Sequence, residues 1–189
     1  MLVTADDSAL ANVAYSPDVV DHAVSGSSHV CQYISNPLAV QTISAQTVTG
    51  GIMAWETTSL NNLFPRLWIG LYSGDGSTLI TELFPYTVIG SELSTTANTG
   101  ISISITTSSY TMLDADAGAR LVIEFSASGT PAAGAGVNGH NLTMRFGNDG
   151  AGGDVGGAAS ATKNPYIQFT DTFVFLTHPG YYGYGGYTQ

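Results

Sequence analysis

Short apolar or alternating runs recur along this chain, and spacers of Gly, Ser, Thr and Asn separate them. Ile101, Ile103 and Ile105 alternate strictly with serines, which is the pattern of a half-buried β-strand. Residues 121–125, Leu-Val-Ile-Glu-Phe, form another run, preceded by Gly-Ala-Arg and followed by Ser-Ala-Ser-Gly-Thr-Pro. No helix-period segment of any length interrupts the series. The pattern therefore predicts an all-β protein.

Further runs predict strands at residues 30–34, 40–48, 52–56, 66–72, 79–84, 86–89, 120–126, 142–146, 166–169 and 172–177. We expect turns at Gly50-Gly51 and at residues 73–77, where Asp75-Gly76 supplies a positive φ, and a break at residues 61–65. About eight to ten strands separated by turns are typical of an antiparallel β-sandwich of jelly-roll type. Its apolar strand faces would pack against each other between two sheets.

Three segments are predicted: an extended arm at residues 1–28, a sandwich domain at 29–177 and a Gly/Tyr-rich tail at 178–189. The tail lacks core-forming aliphatic residues, and its tyrosines offer large contact areas with polar tips. These side chains could contact a neighbouring subunit, stack on a sugar or stay disordered. The candidate assembly contacts in the tail are Tyr181, Tyr182, Tyr184 and Tyr187.

Charge is scarce, because charged residues make up 10% of the 189 residues and Lys plus Arg number only 4. With 14 acidic residues, the net charge is −10. So few cations cannot neutralise many phosphates, which argues against binding to nucleic acid or to an anionic membrane. A neutral polar surface costs little to desolvate, so it favours packing against copies of the same chain. A secreted β-domain is the alternative.

The single cysteine, Cys31, excludes an internal disulfide, and a buried thiol is expected in its apolar run. The chain begins without a basic segment followed by an apolar one, so no signal peptide is expected. We therefore expect either synthesis in a cytoplasm or a sequence that is already that of the mature chain.

Metal and cofactor sites have little support in the sequence. The four histidines are scattered without zinc-ligand spacing. Asp149 and Asp154, in a Gly-rich loop, could supply oxygen ligands to Ca²⁺, but their spacing does not match an EF-hand. A long flexible loop is the favoured interpretation, and no cofactor is expected.

Catalysis is also not expected. A glycosidase needs two carboxylates across a cleft, and Glu56, Glu82, Glu92 and Glu124 are the candidates on or beside strands. Glu124 should lie on the face opposite Ile123 and Phe125, so a structural charge pair with Arg120 or Arg145 is the favoured interpretation. The aromatic residues Trp55, Trp68 and Tyr72 could form a sugar-stacking platform, or they could fill a sheet face or an interface.

The order of several landmarks resembles that of tailed-bacteriophage virion proteins of jelly-roll type, which decorate heads or build fibres and tails. The resemblance covers roughly residues 37–177. It rests on residues 68–77 (Trp-Ile-Gly-Leu-Tyr-Ser-Gly-Asp-Gly-Ser), 90–94, 118–124, 144–147 and 164–169. The arm and the tail are not part of it. It implies a homo-oligomer, often a trimer on a capsid, and no catalytic motif.

The sequence thus favours a non-enzymatic structural protein of a virion, which either decorates the capsid or is a component of a fibre or tail. Its partners would be copies of itself and other virion proteins. A carbohydrate- or receptor-binding sandwich and a subunit of an extracellular filament are the alternatives.

Overall fold

A computed structural model describes residues 2–4, 13–15, 18–19, 28–56, 63–96, 99–129, 140–146 and 166–176. Their strands are β1 Leu2–Thr4, β2 Val13–Tyr15, β3 Asp18–Val19, β4 Ser28–Ile34, β5 Thr42–Ile43, β6 Thr47–Glu56, β7 Leu63–Tyr72, β8 Leu79–Val88, β9 Gly100–Thr106, β10 Tyr110–Thr111, β11 Arg120–Gly129, β12 His140–Phe146 and β13 Tyr166–Phe169. One 3₁₀ turn, Asp114–Asp116, lies between β10 and β11. Nowhere in these ranges is there a helix long and apolar enough to cross a membrane.

Two antiparallel sheets make up the body of the fold. The four-stranded sheet has the order β4-β11-β7-β8. In the larger sheet, β6 pairs with β9 along one edge and with β13 and β12 in turn along the other. Strand β1 then pairs with β13, and β2 and β3 pair with β12. A short ribbon of β5 and β10 completes the arrangement.

The core lies between these sheets, since both contribute to one buried apolar cluster. Successive side chains of a strand point to opposite faces of the sheet, so alternate residues of a strand enter the core. From the four-stranded sheet come Leu67, Ile69, Leu71, Leu121, Ile123 and Phe125; from the larger sheet come Val48, Ile52, Ile103, Ile167 and Phe169. Each fully buried side chain of this size contributes about 1.5–3 kcal/mol. The predicted all-β antiparallel sandwich, with the Leu/Ile/Phe face of residues 121–125 in its core, is confirmed.

The predicted turn at Gly50-Gly51 is wrong, because both glycines lie inside the ten-residue strand β6. A Cβ atom on Gly50 would lie 2.5 Å from the carbonyl oxygen of Tyr166 on β13. The glycine therefore permits a close approach of two strands.

Three other predicted boundaries also change. The expected strand at 40–48 is divided, because residues 42–43 pair with β10 and β6 begins only at Thr47. Pro65 lies within β7, where its carbonyl accepts a hydrogen bond from the Ile89 amide, so the break at 61–65 ends earlier than predicted. The expected strand at 172–177 is reduced to a single bridge between Leu38 and Phe175.

The predicted arm at residues 1–28 contributes short strands to the larger sheet. Strand β1 pairs with β13, while β2 and β3 pair with β12. The division into arm, sandwich and tail remains a prediction, since much of residues 1–28 and the whole of 178–189 lie outside the described residues.

Candidate binding face on the four-stranded sheet

The outer face of the four-stranded sheet carries a buried indole. Trp68 points away from the core, yet it is only 3% exposed. Its ring lies over Gly70, where a Cβ atom would approach the indole to 2.1 Å, so glycine is required there. Tyr86 stacks on the indole with ring centroids 5.7 Å apart, and Tyr72 meets it edge-on at 5.9 Å. The indole Nε1 donates to Glu82 Oε1 at 2.9 Å.

A buried carboxylate lies next to this indole. Glu124 is opposite Trp68 in the register of β11 and β7, and it is 3% exposed. It accepts hydrogen bonds from Gln32 Nε2 at 3.0 Å and from the Tyr86 hydroxyl. The pKa of Tyr86 is raised well above its ordinary value, mainly by burial and secondly by the hydrogen bond to Glu124. The hydroxyl is therefore a donor at neutral pH. A buried carboxylate needs such donors, because an unsatisfied charge would be costly.

We call Trp68, Tyr72, Glu82, Tyr86 and Glu124 the aromatic–carboxylate cluster. Arg66 extends it, since its guanidinium lies 5.2 Å from the centre of the Tyr86 ring and donates to the Tyr86 carbonyl at 3.2 Å. The cluster is held by stacking and hydrogen bonds, and it rigidifies the outer face of the sheet.

A groove of about 450 Å³ opens at one end of this face. Its lining residues are Gln32, Ile34, Tyr72, Gly74, Asp75, Gly76, Arg120 and Val122. Its apolar lining includes Ile34, which is 60% exposed, and the buried Val122. We call this feature the side groove. Its mixed lining offers an aromatic ring, an amide and a guanidinium to a ligand.

Both charged groups of the side groove are held by local contacts. Arg120 donates from Nε to the Gly74 carbonyl at 3.3 Å and from Nη1 to the Ser35 carbonyl at 3.0 Å. Hydrogen bonds from the Ser73 hydroxyl and the Ser77 amide lower the pKa of Asp75 to about 2. Gly76 follows with φ of 75°, as the Asp-Gly turn predicted.

Arg120 and Glu124 do not form the predicted charge pair with each other, and a pair of Glu124 with Arg145 stays a prediction. Arg120 contacts main-chain carbonyls, whereas Glu124 accepts from the neutral side chains of Gln32 and Tyr86. The Cα atoms of Arg120 and Glu124 lie about 13 Å apart along the strand, and within the described residues the two side chains form no ion pair. The side chain of Arg145, the other predicted partner, lies outside the described residues.

The predicted sugar-stacking platform is corrected in one respect. Trp68 is covered by Tyr86 and has no exposed face for a ligand, while Tyr72 remains half-buried at the side groove. Trp55 is also half-buried, but it lies on β6 of the larger sheet. The structure therefore joins Trp68 with Tyr72 and places Trp55 elsewhere.

The candidate catalytic carboxylates are divided between the sheets. Glu56, on the larger sheet, is 1% exposed and accepts a hydrogen bond from the Leu63 amide at 3.1 Å. Glu82 and Glu124 belong to the four-stranded sheet, and Glu92 is exposed in a loop. The described part of the chain holds no group of three His, Cys, Asp or Glu residues that could bind a metal.

Four exposed apolar side chains lie on three main-chain segments that are hydrogen-bonded to one another. Residues 37–43 run between 110–113 and 174–176, with main-chain hydrogen bonds to both. Their exposed apolar side chains are Val40 (42%), Leu113 (64%), Val174 (56%) and Leu176 (48%). We call these four residues the end patch.

Several predicted site residues lie outside the described residues, namely Tyr181, Tyr182, Tyr184, Tyr187, Asp149 and Asp154. Conversely, the contacts of Tyr86 and Gly70 were not predicted from the sequence. An isolated glycine inside the apolar strand of residues 66–72 was a signal for close packing. No signal in the sequence paired Tyr86 with Glu124, since 38 residues separate them.

No family model matches the sequence, and no curated protein matches it. Among solved structures, the infectious bursal disease virus VP2 subviral particle is similar with a TM-score of 0.43, 14% identity and 88% of this chain covered. The T=1 particles derived from infectious bursal virus give a TM-score of 0.41 and 13% identity over 88% of this chain. The chain spans about a third of the length of these proteins, 35% and 34% respectively.

Proposed function

We propose that this chain is a non-enzymatic structural protein of a virion, which acts by assembling with copies of itself and with other virion proteins. The observation that carries the proposal is the end patch. It exposes four large apolar side chains on a protein with only four cations, and apolar area of this kind is typical of interaction surfaces.

The low charge of the chain supports assembly. Neutral polar groups cost less to bury than ions, so an interface around the end patch would have a small desolvation penalty. The nearest charge in the sequence, Asp114, follows Leu113 directly and would lie at the rim of such an interface.

The role within the virion is also a proposal. The landmark order that resembles tailed-bacteriophage virion proteins favours capsid decoration or a fibre or tail component, made in the host cytoplasm. The described carboxylates support a non-enzymatic role, since Glu56 and Glu124 bind main-chain and side-chain donors of the fold itself. A low-resolution image of the particle that contains this chain would separate head from tail.

Analytical ultracentrifugation over a concentration series tests the assembly. We expect the native chain to form a defined oligomer, and Leu113→Lys to weaken it. The matched control is Leu79→Lys, which adds the same charge at a 41% exposed leucine outside the end patch. A native chain that stays monomeric at the highest concentration reached, with no binding to a capsid, would refute the proposal.

The side groove favours a second candidate, a carbohydrate- or receptor-binding module. Tyr72 offers a half-buried ring, and Gln32 and Arg120 offer polar groups beside it. We expect a glycan array to give hits that Tyr72→Ala loses and that Trp55→Ala, on the other sheet, retains. An array without hits would count against this candidate.

A further inference from the structure

Strand β9, Gly100–Thr106, is an edge of the larger sheet, and within the described residues it pairs only with β6. Its register is antiparallel and regular, with Ile103 opposite Gly50. The Ala54 amide donates to the Thr99 carbonyl at 3.1 Å, and the Thr107 amide donates to the Gln46 carbonyl at 3.0 Å. These two hydrogen bonds show which residues of β9 direct their N–H and C=O groups towards β6.

In an antiparallel pair, residues alternate between those that exchange hydrogen bonds and those that do not. Because Thr99 and Thr107 form hydrogen bonds with β6, the odd-numbered residues between them, Ile101, Ile103 and Ile105, form hydrogen bonds with β6 as well. The N–H and C=O groups of Gly100, Ser102, Ser104 and Thr106 therefore point away from β6, along an edge that no other described strand occupies. The side chains of Ser102 and Ser104 are exposed.

The strand itself carries none of the sequence features that usually prevent pairing with another chain. Protected edges have prolines, charged side chains or bulges, and β9 has no proline, no charge and no register shift. Strand β8, one of the two edge strands of the other sheet, shows the contrast. It contains Pro85 and Glu82, its pairing with β7 is irregular, and its Leu83 carbonyl accepts the Ser108 amide at 2.7 Å.

The edge is also self-complementary. Residues 101–105 read Ile-Ser-Ile-Ser-Ile in either direction. An antiparallel pair centred on Ile103 would set Ser102 opposite Ser104 of the second copy, so that outward N–H and C=O groups meet. It would also set the half-buried Ile101 opposite Ile105 of the second copy and bury both further.

The distribution of charge along the sequence also favours a second copy of this chain as the partner. Each copy carries a net charge of −10, so two copies repel each other wherever acidic residues meet. Between Glu92 and Asp114 the sequence contains no charged residue. The β9 edge lies in the middle of this neutral segment, where a second copy can approach with little repulsion.

We propose that β9 pairs with β9 of a second copy about a twofold axis at Ile103, which joins two larger sheets into one continuous sheet. The contact is isologous, since the same strand serves both copies. This inference rests on the proposed assembly role and deepens it by adding a second surface, distinct from the end patch, and the second copy that would pair with it.

Ser104→Pro tests the edge, because it removes an outward N–H and keeps the bonds of Ile103 and Ile105 to β6. Proline is tolerated where the N–H of an edge strand faces solvent. We expect the dissociation constant from sedimentation equilibrium to rise roughly tenfold or more. If Ser104→Pro does not fold, Ser104→Lys is the second variant, with the same expectation.

Two matched controls accompany these variants. Ser104→Thr keeps the N–H and the strand preference, and Ser109→Lys adds a cation at an exposed position outside β9. Both should keep the native dissociation constant. Amide hydrogen exchange by NMR gives an independent readout: protection of Ser102 and Ser104 should rise with protein concentration, whereas Ile103 is protected throughout.

The results of these experiments distinguish the proposed assembly of the chain from the proposed pairing through β9. If the native chain self-associates and Ser104→Pro and Ser104→Lys keep its dissociation constant, the β9 pairing is refuted and assembly stands. If the native chain is monomeric at every concentration, both proposals fail. Protection of Ser102 and Ser104 that does not depend on concentration also refutes the pairing.

Discussion

Replacing Tyr86 by phenylalanine tests whether the buried carboxylate of Glu124 depends on its donors. The variant removes the hydroxyl that donates to Glu124 and keeps the ring that stacks on Trp68. Glu124 is 3% exposed, so water cannot readily replace the lost donor. A hydrogen bond to a charged group contributes about 1.5–3 kcal/mol, and we expect the free energy of unfolding to fall by that amount.

Urea denaturation at neutral pH measures this loss. With a slope of about 2 kcal/mol/M, the midpoint should fall by about 1 M while the slope stays unchanged. Tyr72→Phe is the matched control, because its ring also contacts Trp68 but its hydroxyl has no hydrogen bond within the described residues. It should change the stability by less than about 0.5 kcal/mol.

The pH dependence gives a second test of the same contact. The pKa of Tyr86 is raised in the folded state, so its contribution to stability is complete below its ordinary value near 10 and is lost as the pH rises above that value. The difference between the native chain and Tyr86→Phe should therefore shrink above pH 10. Equal losses in Tyr86→Phe and Tyr72→Phe would show that the hydroxyl does not support Glu124.

Two further substitutions test the close strand approach and the hairpin turn. Gly50→Ala should destabilise the fold by about 1–3 kcal/mol in thermal or urea unfolding, because its Cβ would lie 2.5 Å from the Tyr166 carbonyl oxygen. Gly90→Ala, whose nearest atoms lie at 3.5 Å, is the control, and equal losses would contradict this explanation. Asp75→Asn should lower stability at neutral pH, and the loss should shrink as the pH falls from 3.8 through about 2, because the native carboxylate becomes protonated over this range. A loss at pH 2 as large as the loss at neutral pH would contradict a role for the charge.

The sequence predicted the sandwich because the alternation of apolar residues is a local property. Ile101, Ile103 and Ile105 reveal their strand without reference to any partner. The Asp75-Gly76 turn was predicted for the same reason, since its geometry depends on adjacent residues. Glycine was harder to interpret: Gly50 resembles a turn residue in the sequence, and only the position of β13 shows that it permits close packing.

The candidate site could be predicted only in part, because its contacts join distant segments. Glu124 was correctly placed on the face opposite the core, but its donors Gln32 and Tyr86 come from two other strands. Strand order, which the sequence pattern does not contain, decides those neighbours. The burial of Trp68 likewise depends on Tyr86 crossing over it.

The position of β6 has a consequence for how the chain folds. Its first half pairs with β13, so residues 48–51 meet residues 166–169 across more than a hundred residues of sequence. Closing a loop of this length costs entropy before any contact compensates for it. Folding rates fall as such distant pairings come to dominate, so we expect a slow folding reaction. During synthesis, β6 can pair with β13 only after residues 166–169 have left the ribosome, more than a hundred residues after β6 itself.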